Sequence, residues 1–299
     1  MSARVPPAHI STGAGLLILL VIATTFGANH VSARVAFDHG ASVPAAVAVR
    51  SGVTALVLLL LLKLQHVPLA LPRPTLLRAI FVGLLVALQS FCLYSAVARI
   101  PVALALLVFS SCPVLYVLLS WVAGGERPPM RALAVAPVAL VGLALALDVR
   151  LGSISGRWAE IGPGVSFALA AAVSFALVLY FNVHWLKAVD GRLRTFLMMA
   201  VTAIVVLAAA VGANNLMLPA DGTGWLGLAL LTLLYGTAIT SLFIVLPRIQ
   251  GAAATIGLNF EPIAVLALAW LFLGQAVTPL QIVGAFLVVG AIAWLGAKR

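Results

Sequence analysis

Asn259-Phe260-Glu261-Pro262 places a carboxylate and a helix breaker inside an apolar run that extends from Gly251 to Phe272. An ionisable group at bilayer depth costs ~2.5–3.5 kcal/mol on insertion scales, so such residues face a bundle interior or a wet cavity and mark a transport path. Pro262 carries no N–H, which leaves the carbonyl of Leu258 without its helical partner and bends the helix. Backbone in that state is tolerated at membrane depth only against protein or water. The stretch is the first candidate for the wall of a substrate pathway.

On the 3.6-residue period Ala254, Gly257, Glu261 and Ala264 share one stripe. Small residues let a neighbouring helix or a substrate come close, which points Glu261 into the bundle. Two readings of its carboxyl are open: a pathway group that meets a substrate ammonium or a proton, and a protonated donor that glues two helices together. The sequence names no cationic partner for it. Asn259 lies about 200° round the helix from Glu261, so the two cannot face one cavity squarely.

The remaining polar residues within apolar runs are few. Pro113 should free the carbonyl of Phe109 beside Ser110 and Ser111, whose hydroxyls can re-satisfy it. Asn29 and His30 sit in the outer half of the first run and His184 ends the sixth; a histidine there either titrates in a proton-coupled cycle or is a satisfied interfacial group. Tyr94, Tyr116, Tyr180, Tyr235 and Trp270 are candidates for an amphipathic cavity lining, with packing or interfacial anchoring as the alternative. Trp121 and Trp270 lie near run ends, which favours anchoring. Arg50, near the start of the second run, either meets a substrate carboxylate at the outer mouth or snorkels to the headgroups.

The elements that position these residues follow from composition. Of 299 residues, 64% are apolar and 8% charged, against roughly 25% charged in soluble domains. The net charge is +10, but the basic residues stand singly between apolar runs and form no nucleic-acid surface. Cys92 and Cys112 fall inside runs, where a free thiol behaves as a small apolar group. No phosphate loop, metal-ligand spacing or nucleophile–base constellation is present, so no cofactor is expected.

A membrane helix needs about 20 apolar residues, and cutting at the charged or Pro/Gly-rich breaks predicts ten: 13–36, 43–63, 76–98, 101–122, 131–148, 164–186, 195–213, 225–247, 251–272 and 278–296. The first run is longer than a signal-peptide core and is expected to be retained as a helix. The stretch from Val149 to Pro163 reads as a linker joining two halves, 1–150 and 151–299. With the N-terminus inside, twelve Lys and Arg fall on the cytoplasmic side and five on the outer side, which places both termini in the cytoplasm.

The chain is doubled. At an offset of 149 residues, Arg99, Ile100, Pro113, Trp121 and Gly125 align with Arg248, Ile249, Pro262, Trp270 and Gly274. Each half holds five predicted spans, an odd number, so the second copy enters the membrane upside down. Inverted repeats are typical of transporters whose substrate site lies near the midplane between the repeats. The fold class expected is an all-α integral membrane protein of ten helices in two inverted five-helix repeats.

Several residues carry a resemblance to a known family: Phe26-Gly27-Ala28-Asn29, Arg50, Pro113 with Gly124-Gly125-Glu126, and Glu261-Pro262 with Gly274-Gln275. Over nearly its whole length the chain resembles the EamA-type transporters of the drug/metabolite transporter superfamily, and within them the YddG-like bacterial amino-acid exporters. It departs from the pattern at Phe26, where Trp is common, at Cys112, where a first-half Glu is often found, and at Gln275 in place of a turn Glu. The resemblance implies a secondary transporter in the inner membrane that exports small amphipathic metabolites, amino acids first, as a monomer or homodimer and with proton coupling a possibility. Its expected substrate-binding residues are Glu261, Asn259, Asn29, His30, Tyr94, Ser110, Ser111, Tyr180, Tyr235 and Trp270, and its hinges Pro113, Pro262 and Gly257. The alternatives are a multidrug or nucleotide-sugar carrier of the same fold and, in another class, a membrane-embedded enzyme or scaffold. Phosphate substrates would want several inward basic residues, and none is identified at mid-span. An enzyme would need a partner for Glu261.

Overall fold

A computed structural model describes residues 12–124, 137, 138, 141, 142, 145, 154–245 and 260–296, and all of its regular elements are helices. They are α1 (Thr12–Asp38), α2 (Val43–Leu64), α3 (Arg73–Arg99), α4 (Val102–Phe109), α5 (Cys112–Val122), α6 (Ile154–Trp185), α7 (Gly191–Gly212), α8 (Gly222–Val245), α9 (Glu261–Leu273) and α10 (Pro279–Gly296). Seven helical stretches are long and apolar enough to cross a membrane, with α4 and α5 counted together, and α9 and α10 are shorter apolar helices. Most of the fifth predicted span, 131–148, and the first part of the ninth, 251–259, lie outside the described residues.

The helix ends are set by local chemistry. The Ser42 hydroxyl caps α2 by accepting from the Ala45 N–H at 3.4 Å, and Asp190 accepts from the Arg192 N–H at 2.8 Å at the start of α7. Gly274 ends α9 with φ 61°, a left-handed conformation that glycine adopts without strain. Thr278 and Gln281 bond each other's backbone N–H groups, forming a capping box ahead of α10.

One predicted boundary is corrected: α6 begins at Ile154 and carries Pro163 within it, so much of the expected linker is helix. The fourth span nearly keeps its predicted bounds, running Val102–Val122, but is built of two helices, because the ladder is interrupted at Ser110 and Ser111 ahead of Pro113. There the Val114 and Leu115 N–H groups both donate to the Ser111 carbonyl. The same step occurs at the matching position, where the Ile263 and Ala264 N–H groups both donate to the Phe260 carbonyl. One backbone device is thus used at both prolines. The predicted break at Ile100 is present, while its counterpart near Gln250 lies outside the described residues.

α3 lies along α6, α1 along α8 and α2 along α7, with α9 against α1 and α4. The 149-residue offset carries α1 onto α6, α2 onto α7 and α3 onto α8, so the α3–α6 and α1–α8 pairings exchange and the α2–α7 pairing maps onto itself. The loops sort accordingly. Ser42 bonds Met217 and Asn215, and the Ala220 N–H donates to the His39 carbonyl at 2.9 Å. Arg34 reaches the carbonyls of Val97 and Ile100, and Gln275 accepts from the Val102 N–H at 3.2 Å. These contacts gather the α1–α2, α3–α4, α7–α8 and α9–α10 connections on one face. Arg192 bonds Gln65, joining the α2–α3 and α6–α7 connections on the other.

Outward-facing large apolar residues such as Leu17, Leu56, Leu77, Ile204, Leu226 and Phe272 clothe the bundle, as a hydrocarbon environment requires. Within, small residues set the spacing. An added Cβ at Gly83 would meet Val201 at 2.8 Å, and one at Gly142 would meet the Gly284 carbonyl oxygen at 2.9 Å. The space at Gly142 is thus taken by α10 of this chain.

Candidate functional site

α1 brings two adjacent polar residues into the bundle. Gly27 makes this possible: a Cβ there would stand 3.0 Å from the Val265 side chain and 3.3 Å from its backbone nitrogen, so α1 and α9 meet nearly backbone to backbone. One turn along α1 from Gly27 is His30, and one turn back along α9 from Val265 is Glu261. Their side chains meet, His30 Nε2 lying 3.2 Å from Glu261 Oε1. The expectation that Glu261 lacks a partner is therefore corrected, because the helix crossing brings together residues far apart in the chain. Glu261 also opens α9, where unpaired backbone N–H groups favour negative charge. His30 is 8% exposed at its side chain and Glu261 24%, so the carboxylate is the more accessible member. The other imidazole nitrogen, Nδ1, is buried and has no partner.

Asn29, fully buried, joins three helices. Its amide, in the orientation its neighbours dictate, donates to the Leu231 carbonyl at 3.0 Å and meets the Tyr94 hydroxyl at 3.1 Å. Tyr94 comes from α3 and is 1% exposed, and its ring lies 5.6 Å from the His30 ring.

On the far side of Tyr94 is Arg50. It is 3% exposed, its guanidinium carbon 3.8 Å from the Tyr235 ring centre and 5.0 Å from that of Tyr94. Nη2 donates to the Ser90 hydroxyl at 3.0 Å, and Ser90 donates in turn to Gln89 Oε1 at 3.3 Å. The snorkelling position does not hold: Arg50 lies seven residues beyond the first residue of α2, about 10 Å along the helix axis, and is enclosed by α3 and α8. Tyr235, half-buried, also meets Phe26 edge-on at 6.0 Å.

The profile of the EamA-like transporter family matches residues 13–147 and again residues 162–297. The chain belongs to this family. No curated protein matches it. Among solved structures, one crystal structure described only as that of a protein is 22% identical, covering 97% of this chain and 100% of its own, with a TM-score of 0.65. That likeness is one of fold. Membership and the apolar helices together make this a multi-pass membrane protein of a small-molecule transporter family.

In this EamA-family chain, the predicted residues that come together are Asn29, His30, Tyr94, Tyr235 and Glu261. Others do not join them. Tyr180 stacks on His184 at 4.1 Å and meets Phe181 edge-on, in an aromatic cluster with Phe81 and Trp185 at the end of α6. Trp270 is 63% exposed and Trp121 44% exposed, so neither is enclosed with these residues. The Ser110 hydroxyl donates to the Leu106 carbonyl at 2.8 Å, whereas the Ser111 hydroxyl is buried without a partner. Asn259 and Gly257 lie outside the described residues. Pro113 and Pro262 stand in the first turns of α5 and α9, where a missing N–H does least harm. Gln89 and Ser90 were missed, since two short polar residues in α3 resemble ordinary interhelical contacts. The signal was the lone cation Arg50, which at that depth requires polar neighbours.

Proposed function

We propose that this chain is a secondary transporter that exports small amphipathic metabolites, amino acids first, across the cytoplasmic membrane by alternating access. The observation that carries the reading is the buried polar chain Arg50–Tyr94–Asn29/His30–Glu261. It draws on α1, α2 and α3 of one matched segment and on α8 and α9 of the other, among mostly apolar buried side chains. A buried cation and a half-buried carboxyl at the junction of two repeats suit a solute that is polar at one end and apolar elsewhere.

The halves, 1–150 and 151–299, act as inverted repeats in this proposal. α1 ends on the face that gathers residues 38–42, and its counterpart α6 ends on the opposite face, beside Gln65, which supports the inversion. Rocking of one repeat against the other turns on the interrupted fourth span at Pro113 and on Pro262, with Gly257 as a further hinge. The charge bias places both termini in the cytoplasm, and with Arg50 inside the bundle the outer tally of basic residues falls further. Glu261, Asn29, His30, Tyr94 and Tyr235 form the substrate site. The His30–Glu261 pair also supplies an acid–base couple that a membrane enzyme would need, and family membership weighs for transport.

Counterflow of labelled amino acids in proteoliposomes tests the proposal. Solute-specific exchange is expected; no flux for any small solute, with the protein folded in the vesicles, would overturn it.

A further inference from the structure

Arg50 is a cation that meets no carboxylate among the described residues. A guanidinium is charged and offers five N–H donors. Here one donor is engaged by the Ser90 hydroxyl, and the aromatic faces of Tyr235 and Tyr94 take the flat of the group. Nε–H is buried and has no partner. The sequence holds seven acidic residues. Of these, Asp38 pairs with Arg34, Asp190 with Arg192, Asp221 with His39 and Glu261 with His30. Among the described residues none pairs with Arg50.

Burying a cation without a counter-charge is costly, and the usual remedies are an ion pair or retreat to water. Among the described residues Arg50 has neither: it is enclosed well inside α2, and the neutral Ser90 hydroxyl is its one hydrogen-bond acceptor. A purely structural staple at this position would be served by a neutral donor without that cost. The planar fork is suited to receiving the two oxygens of a carboxylate side by side.

We infer that Arg50 is the anion subsite of the transport path and receives the carboxylate of the solute, with its apolar part lying against Tyr94, Tyr235 and Phe26. The inference rests on the transporter reading, because Arg50 is sealed in this conformation and alternating access is the movement that opens it. The ligand class it names is an organic monocarboxylate with an aromatic or aliphatic body, such as a hydrophobic amino acid. Glu261, across Tyr94 with His30, is a separate subsite, so loss of Arg50 should change selectivity for the acid group alone.

The test compares phenylalanine, phenylalanine amide and phenylethylamine in counterflow by wild-type, Arg50→Gln and Arg50→Lys proteins. Wild type should prefer the acid over its amide by about tenfold or more, the scale on which a site built to bond a group rejects the analogue lacking it. Arg50→Gln, its fold checked by thermal melting in detergent, should lose that preference, and Arg50→Lys should keep part of it. An unchanged acid-to-amide ratio in Arg50→Gln would overturn the inference. Should the variants fail to fold, competition in wild type decides: inhibition of flux by acids and not by their amides supports the subsite, and equal inhibition overturns it. Wild type carrying no solute at all would remove the transporter reading itself, whereas wild type carrying solutes without regard to the carboxylate would remove only the subsite.

Discussion

The imidazole of His30 stands 3.2 Å from the carboxylate of Glu261, tying the middle of α1 to the first turn of α9. The tie spans the two matched repeats at the residue that precedes Pro262 in the first turn of α9. If the pair works as a unit, its members should not contribute independently. Glu261→Gln is expected to cut amino-acid counterflow by about tenfold or more, and His30→Gln by a similar factor. The double variant should be little worse than either single one. Strict multiplication of the two effects would show that the residues act separately, and wild-type flux in Glu261→Gln would remove the carboxylate from the pathway.

Gly27 sets the approach of those helices. A Cβ at this position meets both the side chain and the backbone nitrogen of Val265, so a larger residue must push α1 away from α9. Gly27→Val should destabilise the protein by about 1–3 kcal/mol through overpacking and lengthen the His30–Glu261 contact, lowering flux. Gly52 is the control. Its nearest neighbour to an added Cβ is Ala203 at 3.9 Å, and Gly52→Ala should be neutral or stabilising by up to about 1 kcal/mol. Thermal melts in detergent, read beside flux, check both.

Helix positions were legible because each hydrophobic run is long and its breaks are marked by Pro, Gly or charge. The doubling was legible from rare residues held at one offset, among them Pro113 with Pro262 and Arg99 with Arg248. Side-chain facing was not. α1, α2 and α8 are apolar nearly all round, so the 3.6-residue period carries little information about which stripe turns inward. Trp270 and Tyr180 were therefore grouped with the site, although one points outward and the other stacks on His184. The partner of Glu261 was hidden for a different reason: a contact between residues 30 and 261 depends on how two helices cross. Its trace in the sequence is Gly27, which reads as an unremarkable small residue until α9 is laid against it. Arg50 was misplaced by the default that a basic residue near a helix start snorkels.

Asn29 and Tyr94 give a test of the packing without reference to transport. Tyr94→Phe removes a hydroxyl that meets a fully buried amide, leaving part of the Asn29 hydrogen-bonding capacity unmet. A loss of about 1–2 kcal/mol is expected, seen as a lower melting temperature. Asn29→Ala should cost at least as much, since the Leu231 carbonyl loses its extra donor as well. A Tyr94→Phe melt equal to wild type would mean that water or another group takes the vacated place.

The loop face carrying Asp221 has its own pH dependence. The Gly224 N–H and then His39, 2.7 Å away, hold the Asp221 carboxyl below its ordinary range. A depressed carboxylate contributes stability above its unfolded value of about 3.9, and the contribution disappears as pH falls through the lower folded value. Wild type should therefore melt higher than Asp221→Asn from neutral pH down to about pH 4, with the gap closing below. A gap that is constant with pH would mean that the contact works through shape and not charge.

Sidedness follows from the same loops and can be read with thiol reagents. Cys92 and Cys112 are both buried, so the wild-type chain should react slowly with a membrane-impermeant maleimide. Ser42 and Asn215 share one face and Gln65 and Arg192 the other. On the charge bias, Ser42→Cys and Asn215→Cys should label from outside intact cells, and Gln65→Cys and Arg192→Cys only after the membrane is opened. The pairs must behave alike, because each is joined by a hydrogen bond across the two repeats. Labelling of Ser42→Cys and Gln65→Cys from the same side would break the alternation of α2 through the bilayer and, with it, the inverted arrangement. Labelling of both pairs with sides exchanged would keep the fold, reverse the orientation, and turn the inward and outward ends of the proposed path about.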